Sequence, residues 1–228
     1  MTSRARRGRE VRVAREIREP IDVVLIVCEG AKTEPHYFAS LRNELRLGTA
    51  NILVLGEQCG SSPMTVVEFA IEKFRSSRDY DRIFCVFDRD GHPDYQAAIA
   101  KCDHARLINS ASKTCKIEAI TSNPCFEYWV FLHFEDSDAP VVAAGTKSSG
   151  GVMLSKLKKH MPNYEKSGDG VFVELRPSLP LALRRGVRIN SLANDNPHTK
   201  IVDLVRYLLE LRRDKGISWV DQALAAIR

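Results

Sequence analysis

The sequence contains six cysteines (Cys28, Cys59, Cys85, Cys102, Cys115 and Cys125) but no Cys-x-x-Cys pair, so the spacing of a structural zinc site is missing. No window approaches the run of about 18 apolar residues that a membrane helix needs. The first residues lack the apolar stretch of a secretory signal. These absences lead to the expectation of a cytoplasmic protein without a membrane partner, its thiols reduced. Cys28 and Cys85 fall in or beside predicted strands, where a thiol serves as a small hydrophobe. Three catalytic frameworks are missing too. Gly145-Thr-Lys147-Ser148 lacks the spacing of a phosphate loop, and no Gly-x-Ser-x-Gly elbow occurs. No Gly-x-Gly-x-x-Gly follows the first predicted strand, which argues against a dinucleotide site. Internal repeats and low-complexity segments are also lacking.

The 228 residues, 44% of them apolar, suffice for one sizeable core. The formal charge of +5 is unevenly spread. Residues 1–20 carry seven arginines (Arg4, Arg6, Arg7, Arg9, Arg12, Arg15, Arg18) against three glutamates, a net +4. The rest of the chain is nearly neutral. The segment reads as a basic arm, either solvated or in contact with a polyanion.

Beyond the arm, Val23 to Val27 form an unbroken apolar run without alternation, as in a parallel strand buried on both faces. A second run, Arg82 to Phe87, ends in Asp88-Arg89-Asp90. Further strands are predicted at residues 51–55 and 116–120, with helices between them. Alternating strands and helices joined by short connections predict an α/β fold, a parallel sheet flanked by helices. It is expected to occupy residues 21–134, followed over 135–228 by a mainly helical extension packed on the core.

Such sheets carry their chemistry at the carboxyl ends of their strands. Glu29-Gly30 stands at the end of the first strand, and Asp88 and Asp90 at the end of the third. In an extended segment residues i and i+2 share a face, so Asp88 and Asp90 can approach one ion; turn chemistry is the alternative. Crowded carboxylates suit a hard divalent cation, Mg²⁺ or Mn²⁺. Glu34 lies in the first turn of a helix, where it serves either that ion or the helix dipole. Glu127 opens a helix after the fourth strand, either at the site or on a solvent-facing stripe. The candidate catalytic set is Glu29, Asp88, Asp90 and Glu127, and the candidate metal ligands are Glu29, Glu34, Asp88 and Asp90. Gly30, Lys32, Asn123, Lys147 and Lys200 are the candidate substrate contacts. Lys156, Lys158, Lys159, Arg184, Arg185 and Arg188 suit a phosphate track or a solvated surface equally. His133 reads as a satisfied or surface histidine.

Glu29-Gly30 after one strand and Asp88-x-Asp90 after another resemble the TOPRIM domain of topoisomerases, bacterial primases and OLD-family nucleases, over roughly residues 21–130. Longer strings widen the likeness: Cys28-Glu29-Gly-x-x-Thr33-Glu34-Pro-x-Tyr37-Phe, Ser-Asn123-Pro124-x-Phe126-Glu127-x-Trp129 and Asn196-Pro-x-Thr199. Together they resemble the RloB family, bacterial proteins of restriction and abortive-infection loci. The resemblance implies a TOPRIM-like core and a Mg²⁺- or Mn²⁺-dependent nuclease acting on DNA or RNA in anti-phage defence. It also implies an ATPase as genomic neighbour and partner; self-association as a homo-oligomer is a further expectation. The other reading is a non-catalytic module that binds a nucleotide or a nucleic-acid end while the ATPase does the work. No tyrosine is convincingly placed as a strand-passage nucleophile, so topoisomerase activity does not follow.

The arm has a separable consequence. Its Arg-rich, apolar-poor composition cannot build a core. Removing residues 1–18 should leave the melting temperature nearly unchanged and weaken nucleic-acid binding. The slope of log K against log salt should become shallower by roughly 0.7–0.9 per lost phosphate contact. An unchanged slope in a salt titration would refute this role of the arm.

Overall fold

The computed structural model describes residues 21–89, 91–166, 168, 170–192, 194–212 and 216–228; the basic arm and Asp90 lie outside the described residues. The unbroken apolar runs form the centre of a mostly parallel sheet. Its strands are β1 (Val24–Cys28), β2 (Ile52–Leu55), β3 (Arg82–Asp88), β4 (Leu107–Ile108), β5 (Thr114–Asn123) and β6 (His198–Thr199). The order across the sheet is β2-β1-β3-β5-β4. β1 pairs in parallel with β2 and β3, and β3 with β5. Two short antiparallel strands, β4 and β6, dock on β5.

Every residue of β1 is fully buried because both faces of the sheet are covered. Leu25, Val27, Ile83, Cys85 and Phe87 point to α2 (Pro63–Ser77) and α3 (Tyr95–His104). Val24, Ile26, Cys28, Phe84 and Val86 point the other way, to α1 (Thr33–Glu44), α4 (Glu127–Phe131) and the C-terminal helices. Each such side chain contributes about 1.5–3 kcal/mol of burial. The C-terminal helices are α5 (Ser149–Leu157), α6 (Val171–Leu175), α7 (Leu179–Ser191), α8 (Ile201–Glu210) and α9 (Ser218–Ala225). Leu183, Leu204, Leu208 and Val220 share one core with β1 and α1.

Local chemistry explains where elements begin. Ser62 caps α2 by accepting from the Thr65 N–H, and the Thr65 hydroxyl accepts in turn from the Ser62 N–H, a closed capping box. α1 starts at Thr33 without a side-chain cap, and the Thr33 hydroxyl donates to the Lys166 carbonyl. β5 is longer than the predicted 116–120 segment. Its first half alternates buried and exposed, because there only one face is packed: Cys115, Ile117 and Ala119 lie in the core with α2 and α3. Gly186 sits inside α7 for a packing reason. A Cβ there would lie 3.1 Å from Val202 and 3.6 Å from Trp129, so the glycine lets α7 approach both. Among the described residues, no helix is long and apolar enough to cross a membrane.

His133 is buried at 2% exposure, not at the surface. Its Nδ1 lies 3.1 Å from the Trp129 carbonyl, and its Nε2 has no hydrogen-bond partner among the described residues. Burial pushes its pKa down to about 4 from an ordinary 6.5. The unfolded chain therefore binds the extra proton first as pH falls. The penalty is absent above about pH 6.5 and grows to about 3 kcal/mol by pH 4. His133→Leu should flatten the acid limb of the stability curve by that amount in urea titrations, and an unchanged limb would mean His133 does not titrate as a buried base.

Candidate functional site

The site begins with the register of the central strands. Cys28 pairs with Val86, and the Glu29 N–H continues the ladder by donating to the Val86 carbonyl at 2.9 Å. Glu29 thus comes to rest beside the end of β3. The Asp88 N–H donates to Glu29 Oε2 at 3.1 Å, and His92 Nε2 lies 3.3 Å from Glu29 Oε1. Both oxygens of Glu29 are held.

In the turn after β1 the space beside the glycine is taken by the Glu34 side chain, which a side chain at residue 30 would displace. A Cβ on Gly30 would fall 2.0 Å from Glu34 Oε2, because the Glu34 carboxylate folds back from α1 onto the turn. The end of β2 supports the turn from behind. A Cβ on Gly56 would lie 2.5 Å from the Gly30 carbonyl oxygen, and the Cys59 thiol donates to the Cys28 carbonyl at 2.7 Å.

β5 delivers the fourth acid. Residue pairing continues to Asp88 opposite Ser122, after which the cis Asn123–Pro124 bond leads into α4. The Phe126 backbone hydrogen-bonds Asp88, and Glu127 is the first residue of α4. Glu127 is 2% exposed, so it is not on a solvent stripe. The Cys125 thiol bonds it, and Lys166 Nζ lies 3.0 Å from its Oε1. The Thr33 hydroxyl donates to the Lys166 carbonyl.

These groups line a cleft of about 410 Å³ with Gly30, Lys32 and Glu34. Burial, then the charges of Glu34 and Glu127, push the Asp88 carboxyl well above the usual carboxylate range. Burial, aided by Glu127 and Glu29, pushes Glu34 up to about 7. Burial also raises the Tyr164 phenol, as do the charges of Glu127 and Glu34; its buried hydroxyl has no hydrogen-bond partner among the described residues. The donors are hard anionic oxygens, and their mutual repulsion is the condition that a divalent cation relieves. Glu29, Glu34, Asp88 and Glu127 are the side chains that would hold it. Among the described residues, however, no three His, Cys, Asp or Glu side chains are already gathered as an ion cage.

Glu29, Gly30, Lys32, Glu34, Asp88 and Glu127 therefore come together. Three candidate substrate contacts do not line the cleft. The Asn123 amide donates to the Asp195 carbonyl, Lys147 Nζ donates to Ser155 Oγ at 2.8 Å, and the Lys200 N–H donates to the Thr121 carbonyl at the start of α8. Arg185 and Arg188 are likewise committed, to the Leu132 carbonyl at 2.7 Å and to Asp136 at 2.5 Å. Sequence reasoning missed His92 and Lys166. His92 sits four residues past Asp88 in a polar loop, a readable hint. Lys166 gives no local sign of its position.

Fold and site define an α/β protein whose sheet ends in an acidic cleft. The family model of RloB-like proteins matches residues 24–208, β1 to α8, and the chain belongs to that family. No curated protein and no solved structure matches the chain.

The raised carboxyl pKa values carry a sign. The folded protein holds protons that the unfolded chain releases, so ionising Glu34 costs stability as pH rises from 4.5 to about 7. In EDTA, Glu34→Gln should stabilise the protein by about 1–3 kcal/mol at pH 8, and Asp88→Asn should stabilise it in the same direction. For Glu34→Gln the gain should vanish near pH 4.5. Thermal melts at the two pH values check this, and equal stability at pH 8 would show that burial and the neighbouring acids do not hold these carboxyls protonated.

Proposed function

We propose that the cleft binds Mg²⁺ or Mn²⁺ and hydrolyses phosphodiester bonds of DNA or RNA, in a TOPRIM-like manner and in the service of anti-phage defence. The observation that supports this best is the convergence of four carboxylates at the carboxyl edge of a parallel sheet, two of them pushed toward their protonated forms. When bound, the ion would acidify a water and offset negative charge on the phosphate. Glu29, Glu34, Asp88 and Glu127 would hold the ion. Glu29, fixed by the Asp88 N–H and facing His92, is placed to take a proton from the attacking water. Lys32 lines the cleft and meets the phosphate oxygens. The defence role and an ATPase partner are what the RloB resemblance implies.

A second reading is a module that binds a nucleotide or nucleic-acid end and leaves catalysis to that partner. The lack of a ready three-donor cage among the described residues favours it.

The test is a cleavage panel of plasmid, single-stranded DNA and RNA in Mg²⁺, Mn²⁺ or EDTA, with and without the neighbouring ATPase. We expect metal-dependent cleavage that EDTA abolishes. Asp88→Asn and Glu127→Gln should reduce it about 100-fold or more while the proteins stay folded. Metal-dependent binding without cleavage in every arm would support the module instead.

A further inference from the structure

Lys166 holds the acid cluster from the C-terminal region, and its ion pair with Glu127 is lopsided. The Glu127 side chain is 2% exposed, whereas Lys166 is 60% exposed, with Nζ and Oε1 3.0 Å apart. The lysine is also anchored through its backbone, since its carbonyl accepts from Thr33 in the turn that carries Gly30 and Glu34. Its side chain and main chain therefore touch the two walls of one cleft.

A buried carboxylate left without a counter-charge is strongly destabilising, and Lys166 supplies that charge to Glu127. Lys166 keeps most of its surface in water and loses little by swinging away. An ammonium and a divalent ion on the same carboxylate would repel across a few ångströms in a partly dry site. One must leave for the other to enter.

We propose that Lys166 is a built-in counter-ion that occupies the place of the divalent cation on Glu127, and that ammonium and metal exchange there. This rests on the metal reading of the cleft. The exchange sets how tightly the metal binds: the ion must displace a resident charge, so affinity falls below what four carboxylates alone would give. It also links metal entry to release of the Lys166 side chain from the cleft.

The experiment uses Mn²⁺ alone as probe on the full chain. By calorimetric titration Lys166→Gln should bind Mn²⁺ roughly tenfold tighter than wild type, within the usual range of coupling between two competing sites. Lys166→Arg keeps the charge and should bind as wild type does. In the wild-type protein, labelling by an amine-reactive acylating reagent, read by peptide mass, should increase severalfold at Lys166 when Mn²⁺ saturates the site. It should not respond to Mn²⁺ in Asp88→Asn. The labelling arm decides the matter even if Lys166→Gln fails to fold. Mn²⁺ binding by the wild type, with equal or weaker binding by Lys166→Gln or with labelling unmoved by the metal, overturns the counter-ion role and leaves the metal site standing. No Mn²⁺ binding by wild type or Lys166→Gln refutes the metal site, and the counter-ion role with it.

Discussion

The parallel register of β1 on β3 forces negative charge together. With Cys28 opposite Val86, the first residue beyond β1 must lie next to the last residues of β3. The Asp88 N–H then finds the Glu29 carboxylate at 3.1 Å, and the two acids cannot separate without breaking the ladder. The β3–β5 register adds the start of α4, and with it Glu127. Glu34 folds back onto the turn and fills the space beside Gly30 that a Cβ would need. The cluster follows from strand pairing, and a hydrophobic core of fully buried strand residues enforces that pairing.

Much of the remaining structure steadies the walls of this cleft. The Trp129 indole donates to the Tyr37 hydroxyl at 2.9 Å, which joins α4 to α1 inside the core. Tyr37 also meets Phe38, Phe126 and Phe172 edge to face at 5.3–5.4 Å, a geometry worth about 0.5–1.5 kcal/mol per pair beyond burial. Asn196 staples Val141 by exchanging two hydrogen bonds of 3.0 Å, and the Thr199 hydroxyl meets Ser122 at 3.1 Å beside the end of β5. Several residues of the family-like strings thus serve as supports behind the acids. A change at Tyr37 or Trp129 acts on the site by shifting α1 against α4.

The sheet and the acids were legible because their causes are local. Continuous apolar runs announce doubly covered strands, and an acid followed by glycine at a strand end announces a turn into a cleft. The same reasoning placed Glu127 at a helix start but could not choose its face, since burial depends on α5 and on Lys166. Lys147 and Lys200 looked like phosphate contacts because charge alone carries no direction; neither lines the cleft, and the Lys147 ammonium is tied to Ser155 by a bond that spacing does not reveal. The two-residue strands β4 and β6 were missed because so short a segment shows no periodicity. Gly186 is a poor helix former by its own propensity, yet close packing on Val202 places it inside α7.

The fold lives with its four acids in three different ways. Glu29 is held by a backbone N–H and by His92, a fixed arrangement that persists while the strands are paired. Asp88 and Glu34 are driven toward protonation by burial and by their neighbours, so they exchange charge with solvent. Glu127, the most deeply buried of the cleft acids compared by exposure with Glu29, relies on an ammonium from a distant loop. Only the first arrangement is built into the sheet. Protons and a lysine side chain can both be replaced, and one divalent ion could replace them together while keeping every carboxylate compensated. The C-terminal region therefore does more than cover one face of the sheet: it supplies the lysine that balances the charge of the deepest carboxylate, beside the bond from the Cys125 thiol.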